Sequence, residues 1–329
     1  MEDSGYMARA AFIMDKIMHK MGLHGKSFIP LIMGFGCNVP AIMATRTIES
    51  HSSRLITILI NPFMSCSARI PVFVLLAGTF FPDHAGTILI SMYILGIIIA
   101  ILTAKVFRKT YFKKEETPFV MELPPYRMPT LNATLKHMWD KGEQYLKKMG
   151  GIILVASVII WFLSYYPQNF PHNKASETAQ TTMAATQDAN HATVISSGNN
   201  TGQSFEDSFL GQIGKRCEPV MRPLGLNWKA TVALLSGTAA KEIVVSTLGV
   251  LYKNENEATL SKTLITSEDF TQRSALAFMV FILLYFPCIA ALAAIRNEAG
   301  WKWALFSAIY STAVAWVAGF AVYTITGFF

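Results

Sequence analysis

Charged residues are scarce in this sequence. They make up 15% of the 329 residues, whereas soluble domains contain about 25%. Hydrophobic residues make up 52%, and they form runs long enough to cross a hydrocarbon layer about 30 Å thick. The scarcity of charge therefore argues against ordinary soluble domains and predicts an all-α, polytopic transmembrane helix bundle.

Cysteine is also scarce, and the motifs of enzymes are missing. The four cysteines are too few and too scattered for a disulfide scaffold, so we interpret them as thiols. Gly25-Lys26-Ser27 resembles the end of a phosphate-binding loop, but Lys20 stands where that motif needs a glycine. Gly34-Phe35-Gly36 begins like a dinucleotide fingerprint, but Val39 stands where its third glycine is required. We therefore expect no enzyme activity and no cofactor bound by this chain.

The formal charge of +7 does not indicate nucleic acid. The basic residues lie beside apolar runs and form no stripe with interleaved aromatic residues, so we expect no nucleic-acid partner. Between Lys105 and Lys148 there are ten Lys or Arg and five acidic residues. Because cytoplasmic loops carry an excess of Lys and Arg, this segment is predicted to be cytoplasmic and to face the lipid bilayer.

Apolar runs, glycines and prolines divide the chain into six predicted segments. They are an amphipathic, interfacial segment (1–26), a first gate region with a broken helix and two spans (27–107), a basic cytoplasmic loop (108–148), a single span (149–166), a polar external loop with a short amphipathic segment (167–229), and a second gate region with a broken segment and two spans (230–329).

The two gate regions share a pattern that predicts an internal repeat. Each contains a broken, Gly-rich segment (34–47 and 236–249), then a span in which proline precedes cysteine (Pro62 and Cys66; Pro287 and Cys288), then a plain span. Transporters are commonly built from such repeats, with the substrate site at broken helices near the middle of the bilayer. Chance similarity among apolar helices is the alternative.

The first broken segment offers ligands for a cation. Gly34 and Gly36 allow the backbone to approach an ion, and Asn38 and Pro40 interrupt the helix so that carbonyl groups are left open. The sulfur of Cys37 is a soft donor that favours transition metals over magnesium or calcium. Cys66, Cys288 and Met64 supply further sulfur atoms. The alternative is that these side chains only fill the core.

Charged residues inside apolar segments also indicate a functional site at the broken segments. Arg69, Lys241 and Glu242 lie in or beside predicted spans, where a central charge costs about 2.5–3.5 kcal/mol. Glu242 could supply a hard oxygen to a divalent cation, while Lys241 and Arg69 could serve as gate pairs or restrain the broken segments, the second of which contains Gly237. The alternative is that these charges mark segment ends and reach water along their stems.

Several strings closely resemble the ferrous iron transport protein B family. They are Glu2 to Arg9, Gly25 to Pro30, Gly34 to Arg46, Asn61 to Cys66 and Gly237 to Gly249. The likeness covers nearly the whole chain in order and is weakest in the external loop. The two broken segments look like the paired gate regions of that family, which are also similar to a nucleoside-recognition domain of other transporters.

The resemblance implies import of Fe2+ across the bacterial cytoplasmic membrane, coupled to GTP. Members of the family carry a GTP-binding domain before the membrane part, and this chain begins inside the first gate. GTP and Mg2+ would then bind only to that missing domain, supplied in cis or in trans. Small accessory iron-transport proteins and a homo-oligomer are further expected partners.

Two alternatives to iron import remain open at the level of sequence. One keeps the architecture but moves a nucleoside or another small solute, which the likeness of the gate regions allows. The other is a membrane scaffold or fragment that transports nothing by itself.

Overall fold

The computed structural model describes residues 6–111, 131–165, 208–252, 257–266 and 270–327. Within these ranges the chain is helical and contains no strand, which confirms the predicted all-α class. The first seven helices are α1 (Tyr6–Lys20), α2 (Phe28–Gly36), α3 (Asn38–Ala44), α4 (His51–Ile60), α5 (Ile70–Phe80), α6 (Ala85–Thr110) and α7 (Leu131–Tyr165). The next seven are α8 (Phe209–Met221), α9 (Trp228–Ser236), α10 (Ile243–Leu251), α11 (Glu257–Thr266), α12 (Gln272–Leu284), α13 (Ile289–Ala299) and α14 (Trp301–Ile325).

Four segments of the described chain are long and apolar enough to cross a membrane. We name them span A (His51–Phe80, α4 and α5), span B (Pro82–Thr110, mainly α6), span C (Gln272–Ala299, α12 and α13) and span D (Trp301–Ile325, α14). Within the most apolar 18-residue window of each span, 72% is buried in spans A and C, but only 17% in span B and 28% in span D. Spans A and C therefore form the centre of the bundle, and spans B and D lie at its periphery.

Both central spans are interrupted near their midpoints. In span A, Pro62 lies in a short helical turn, and the chain becomes extended at Met64 and Cys66 before α5 begins. In span C, the helix ends at Leu284 and resumes after Pro287 and Cys288. Proline cannot donate a backbone hydrogen bond and clashes with the preceding turn, so it explains both interruptions.

Helices α2 and α3 form a hairpin, which we name the first hairpin (Phe28–Ala44). The Lys26 ammonium lies 2.6 Å from the Glu49 carboxylate, and the Thr57 hydroxyl donates to Ser27 Oγ at 2.9 Å. The residues before and after the hairpin therefore meet beside the start of span A. The chain enters and leaves the first hairpin at this end of the bundle, and the turn at Cys37 points into the bundle.

Helices α9 and α10 form the second hairpin (Trp228–Leu251). The Lys229 ammonium lies 4.6 Å from the centre of the Tyr252 ring, so the two ends of this hairpin also meet. A β-carbon at Gly225, just before α9, would lie 2.6 Å from a ring atom of Tyr323 at the end of span D. The second hairpin therefore enters from the end opposite to the first.

The two halves of the bundle are related by inversion. Gln272, at the start of span C, donates to the carbonyl of Phe80 at the end of span A. Arg54, at the start of span A, pairs with Glu298 at the end of span C. Spans A and C are thus antiparallel, and each half consists of a hairpin, a broken span and a plain span. This arrangement is an inverted repeat of the kind found in secondary transporters.

Outside the repeat, the described residues differ from the predicted segments in two places. The predicted basic loop (108–148) contains the start of α7, which begins at Leu131. The predicted single span (149–166) forms the last part of α7, and its residue 166 lies outside the described ranges. Helix α7 is not among the four segments that meet the criteria for a span. A crossing there stays a prediction.

Candidate functional site

Three of the predicted metal ligands lie at helix breaks. Cys37, with φ −152° and ψ 131°, separates α2 from α3. Cys66 precedes the short helical turn that leads into α5, and Cys288 precedes α13. Each cysteine therefore stands at a break in the helix, immediately before the next helical segment.

The tip of the first hairpin contacts the break in span A. The Ser67 hydroxyl donates to the carbonyl of Gly36 at 2.9 Å. With its amide oriented to suit its neighbours, Asn38 donates to the carbonyls of Asn61 and Gly34, both at 3.2 Å. Gly34 is required by close packing, because a β-carbon there would overlap Asn61 Oδ1 and lie 3.0 Å from Met64 Cβ.

Two buried polar side chains at this junction have unused hydrogen-bonding capacity. Asn61 is fully buried and Ser65 is 2% exposed, and within the described residues neither the Asn61 amide atoms nor the Ser65 hydroxyl has a partner. An unsatisfied buried group costs about 1–3 kcal/mol, which a bound ion or water would offset. Sequence reasoning did not assign these side chains a role, although both stand in the Asn61 to Cys66 string.

The tip of the second hairpin contacts the break in span C in the same manner. The backbone N–H of Ile289 donates to the carbonyl of Thr238 at 3.0 Å. A β-carbon at Gly237 would lie 2.7 Å from the Tyr285 hydroxyl, which itself donates to the carbonyl of Leu234 at 3.3 Å. Gly237 thus permits the same close approach as Gly34.

Two cationic side chains are buried at the helix breaks. Arg69 is fully buried and donates to the carbonyls of Met64 and Pro62 at 2.9 and 3.0 Å. Lys241 is 3% exposed and donates to the carbonyl of Phe286 at 3.0 Å. Both side chains therefore bind carbonyl groups that the helix breaks leave open. The prediction that they could restrain the broken segments agrees with these contacts but is not tested by them.

Several residues of the junction lie at the molecular surface. Gly36, Ser67 and Glu242 are exposed, and Cys37 and Cys288 are partly exposed. An exposed carboxylate near the middle of a bilayer is costly in lipid, so Glu242 is expected to face water or another protein. Within the turn from Gly34 to Pro40, Gly36 is thus at the surface, whereas Asn38 and Val39 are buried.

The predicted ligands are not gathered into one metal site in this conformation. Among the described residues no three His, Cys, Asp or Glu side chains are grouped so that they could hold a metal ion. Met64 is 5% exposed and packs in the main hydrophobic core. Cys37 and Cys288 pack against a second, smaller apolar cluster around Val39 and Ile295. The assignment of metal ligands therefore stays a prediction.

The two ends of the bundle have different chemistry. At the end that holds the first hairpin, Arg46 and Arg54 both pair with Glu298, and this hydrogen bonding raises the pKa of the Arg46 guanidinium. At the opposite end, a cleft of about 580 Å³ is lined by residues that include Thr79, Phe270, Arg273 and Tyr323. None of the predicted site residues lines this cleft.

Comparisons with known proteins agree with this architecture. The family model Gate, described as nucleoside recognition, matches residues 1–80 and 146–302. The model described as ferrous iron transport protein B C terminus matches residues 89–141. The Gate model alone covers more than half of the chain, and its two blocks contain both hairpins and both broken spans. No solved structure matches the chain.

Curated relatives match over almost the whole chain. A protein named Fe(2+) transport protein A/Fe(2+) transporter FeoB fusion protein, from Porphyromonas gingivalis, is 54% identical over 99% of this chain and 40% of its own length. Proteins named Fe(2+) transporter FeoB from Methanocaldococcus jannaschii and Campylobacter jejuni are each 43% identical, over 98% and 97% of this chain and 44% and 49% of their own lengths. The chain thus spans less than half the length of these relatives.

Proposed function

Because this chain belongs to the Gate family and corresponds to the C-terminal membrane portion of FeoB proteins, we propose that it forms the path by which Fe2+ crosses a membrane. The meeting of two hairpin tips with two broken spans in the buried centre of the bundle carries the proposal. Backbone carbonyls, sulfur atoms and the spare polar groups of Asn61 and Ser65 lie at these breaks, and such groups can replace part of the water shell of a cation.

The three cysteines would act as transient ligands for the ion. A thiolate favours a borderline metal such as Fe2+ over the more abundant Mg2+ and Ca2+. Conduction requires binding that is favourable yet weak enough for release, so separate sulfur atoms serve better than one complete shell. Glu242, exposed beside the second break, would supply an oxygen ligand as the ion enters or leaves, and Met64 would be a secondary donor.

The remaining parts of the function follow from the relatives. Their additional length has room for the GTP-binding domain expected of the family, where GTP and Mg2+ would bind, and this chain itself would be a transporter and not an enzyme. The fusion relative joins its transporter to an Fe(2+) transport protein A, so a small accessory protein of that kind is a proposed partner. The proposed location is the bacterial cytoplasmic membrane, and a homo-oligomer remains a further proposal.

Uptake of 55Fe2+ by reconstituted protein tests this function. The purified protein is placed in liposomes under reducing conditions, and uptake is compared among wild type, Cys37→Ser, Cys66→Ser, Cys288→Ser and the control Cys217→Ser. We expect uptake in wild type and in Cys217→Ser, which alters α8, a helix that contains neither break, and a loss of about tenfold or more in the other three. Absence of iron uptake together with saturable uptake of a nucleoside would refute the proposal.

A further inference from the structure

The inverted repeat extends beyond the two hairpins to the helices that precede them. Helix α1 leads into the first hairpin through Gly22, with φ 78°, and α8 leads into the second through Gly225, with φ 70°. Glycine adopts this left-handed conformation at no steric cost. A buried leucine follows each glycine, and Leu23 and Leu226 are 2% and 3% exposed. The two junctions are therefore built in the same way, and α1 and α8 are counterparts in the two halves.

Each junction packs against the end of a plain span. A β-carbon at Gly22 would lie 2.9 Å from the Arg108 side chain, in the last turn of α6 in span B. A β-carbon at Gly225 would lie 2.6 Å from the Tyr323 ring, in the last turn of α14 in span D. Because spans B and D end on opposite sides of the bundle, α1 and α8 are held at its two opposite ends.

The outward face of α1 mixes apolar and basic side chains. Phe12, Ile13 and Ile17 are between 51% and 73% exposed, and Lys16 and Lys20 on the same side of the helix are exposed as well. Such a mixture suits the boundary between headgroups and acyl chains, because a lysine stem can lie along hydrocarbon while its ammonium reaches a phosphate. The face therefore has the chemistry of a helix that lies at a membrane surface.

The outward face of α8 has the same character. Phe209, Ile213 and Val220 are between 40% and 59% exposed. Arg216 is also exposed, and it lies three residues after Ile213 and four before Val220, so it shares their side of the helix. Helix α8 thus presents apolar side chains around a guanidinium, as α1 presents them around two ammonium groups.

An anionic lipid surface fits both faces. Lys and Arg outnumber Asp and Glu three to one in α1, and also in α8 with the turn Arg222–Leu224 that follows it, so both faces attract negative charge. None of the ion pairs between described residues uses Lys16, Lys20 or Arg216. A protein that covered both faces would have to be present on both sides of the membrane, whereas a bilayer has a headgroup layer on each side.

We propose that α1 and α8 are a pair of membrane-surface helices, which bind anionic phospholipid headgroups on opposite faces of the bilayer and anchor the bases of the two hairpins there. The inference extends the interfacial placement predicted for residues 1–26 to a second helix and names the lipid class that both prefer. It is independent of the proposed function, since no step in it involves Fe2+.

Photo-crosslinking in nanodiscs tests the proposal. Benzoylphenylalanine is incorporated in place of Ile13 or of Ile213, the nanodiscs contain phosphatidylcholine with a smaller share of phosphatidylglycerol, and mass spectrometry identifies the adducts. We expect phospholipid adducts at both positions, with phosphatidylglycerol enriched about threefold or more over its share of the bilayer. Adducts with a second copy of the chain, or a phosphatidylglycerol share equal to that of the bilayer, would overturn the proposal.

Charge variants show whether the basic side chains cause the enrichment. The double variant Lys16→Gln and Lys20→Gln should lower the phosphatidylglycerol share at Ile13 to that of the bilayer, and Arg216→Gln should do the same at Ile213. The matched control is Lys262→Gln, which alters an exposed lysine on α11 and should leave both enrichments unchanged. Size-exclusion chromatography checks that each variant is folded, which the exposure of the replaced side chains favours.

The outcomes separate this inference from the proposed function. Undiminished enrichment in the folded glutamine variants of α1 and α8 would overturn the inference, even if wild type takes up Fe2+. Enrichment that these variants abolish, in a protein that takes up no Fe2+, would support the membrane-surface helices and count only against iron transport.

Discussion

Arg54 and Glu298 form an ion pair with a nitrogen-to-oxygen distance of 2.7 Å, although 244 residues separate them in the chain. Arg46, just after the first hairpin, pairs with the same carboxylate. The Glu298 side chain is 3% exposed, so its charge is tolerated only because it is paired. These contacts join the two inverted halves at one end of the bundle, the end predicted to face the cytoplasm.

Glu298→Gln should destabilise the protein by about 1–3 kcal/mol, because it leaves two arginines without their shared anion. Thermal unfolding in detergent measures the loss. The control is Glu49→Gln, whose carboxylate pairs with Lys26 but is 82% exposed, and which should leave the melting temperature unchanged. Equal melting temperatures for wild type and Glu298→Gln would contradict the idea that this pair holds the halves together.

Gly34→Ala and Gly36→Ala should behave very differently. A methyl group at Gly34 would overlap the Asn61 amide, which is fully buried, whereas a methyl group at Gly36 would meet nothing within 4 Å. We expect Gly34→Ala to cost about 1–3 kcal/mol through overpacking and to reduce Fe2+ uptake, with Gly36→Ala close to wild type in both. The same unfolding and uptake measurements check this pair. Similar losses in both variants would show that the hairpin tip is not packed as described.

Much of this fold could be predicted because its main signals are local. Proline before cysteine marked both breaks at Cys66 and Cys288, and the Gly-rich strings marked both hairpins. Periodicity and length then placed the spans. Residues around Leu131 were less predictable, because a helix that continues from an amphipathic part into an apolar part carries no sequence signal at the transition.

The arrangement of the site could not be predicted, because it depends on contacts between distant segments. Nothing near Lys241 in the chain indicates the carbonyl of Phe286, and nothing near Gly34 indicates the Asn61 side chain. A sequence pattern shows where a helix breaks, but it does not show which hairpin tip contacts which broken span. The inversion of the two halves is likewise a property of contacts such as that between Gln272 and Phe80.

Stability should fall in mild acid through His24. Its Nδ1 accepts a hydrogen bond from the Lys26 N–H at 3.2 Å, and burial, followed by the charge of Lys26, lowers its pKa below the ordinary value of 6.5. The folded state thus favours the neutral ring. Its contribution is fully present above about pH 6.5 and is lost as the pH falls through the lower pKa of the folded state.

His24→Asn should remove this part of the acid sensitivity, since asparagine keeps an acceptor at the start of the turn but does not titrate in this range. Melting temperatures recorded on either side of pH 6.5 give the comparison, and His51→Asn, at an exposed position, is the control. If the melting temperature of wild type falls no more steeply with decreasing pH than that of His24→Asn, His24 is not a source of the acid sensitivity.

The inverted halves make a definite prediction of topology. Lys262 lies on α11, which packs against α5, and α5 ends at Phe80 near the start of span C. Lys302 lies just after span C, at the end where Arg54 meets Glu298. If the basic segment between 105 and 148 is cytoplasmic, Lys262 must be external and Lys302 internal.

Introduced cysteines distinguish the two sides. In a Cys217→Ser background, a membrane-impermeant maleimide added to intact cells should label Lys262→Cys, whereas Lys302→Cys should react only after permeabilisation. The background protein without an introduced cysteine corrects for slow reaction of Cys37 and Cys288, which are partly exposed. Labelling of both positions from the same side would mean that span C does not cross the membrane. The inverted repeat, and with it the meeting of the hairpin tips from opposite sides, would then be wrong.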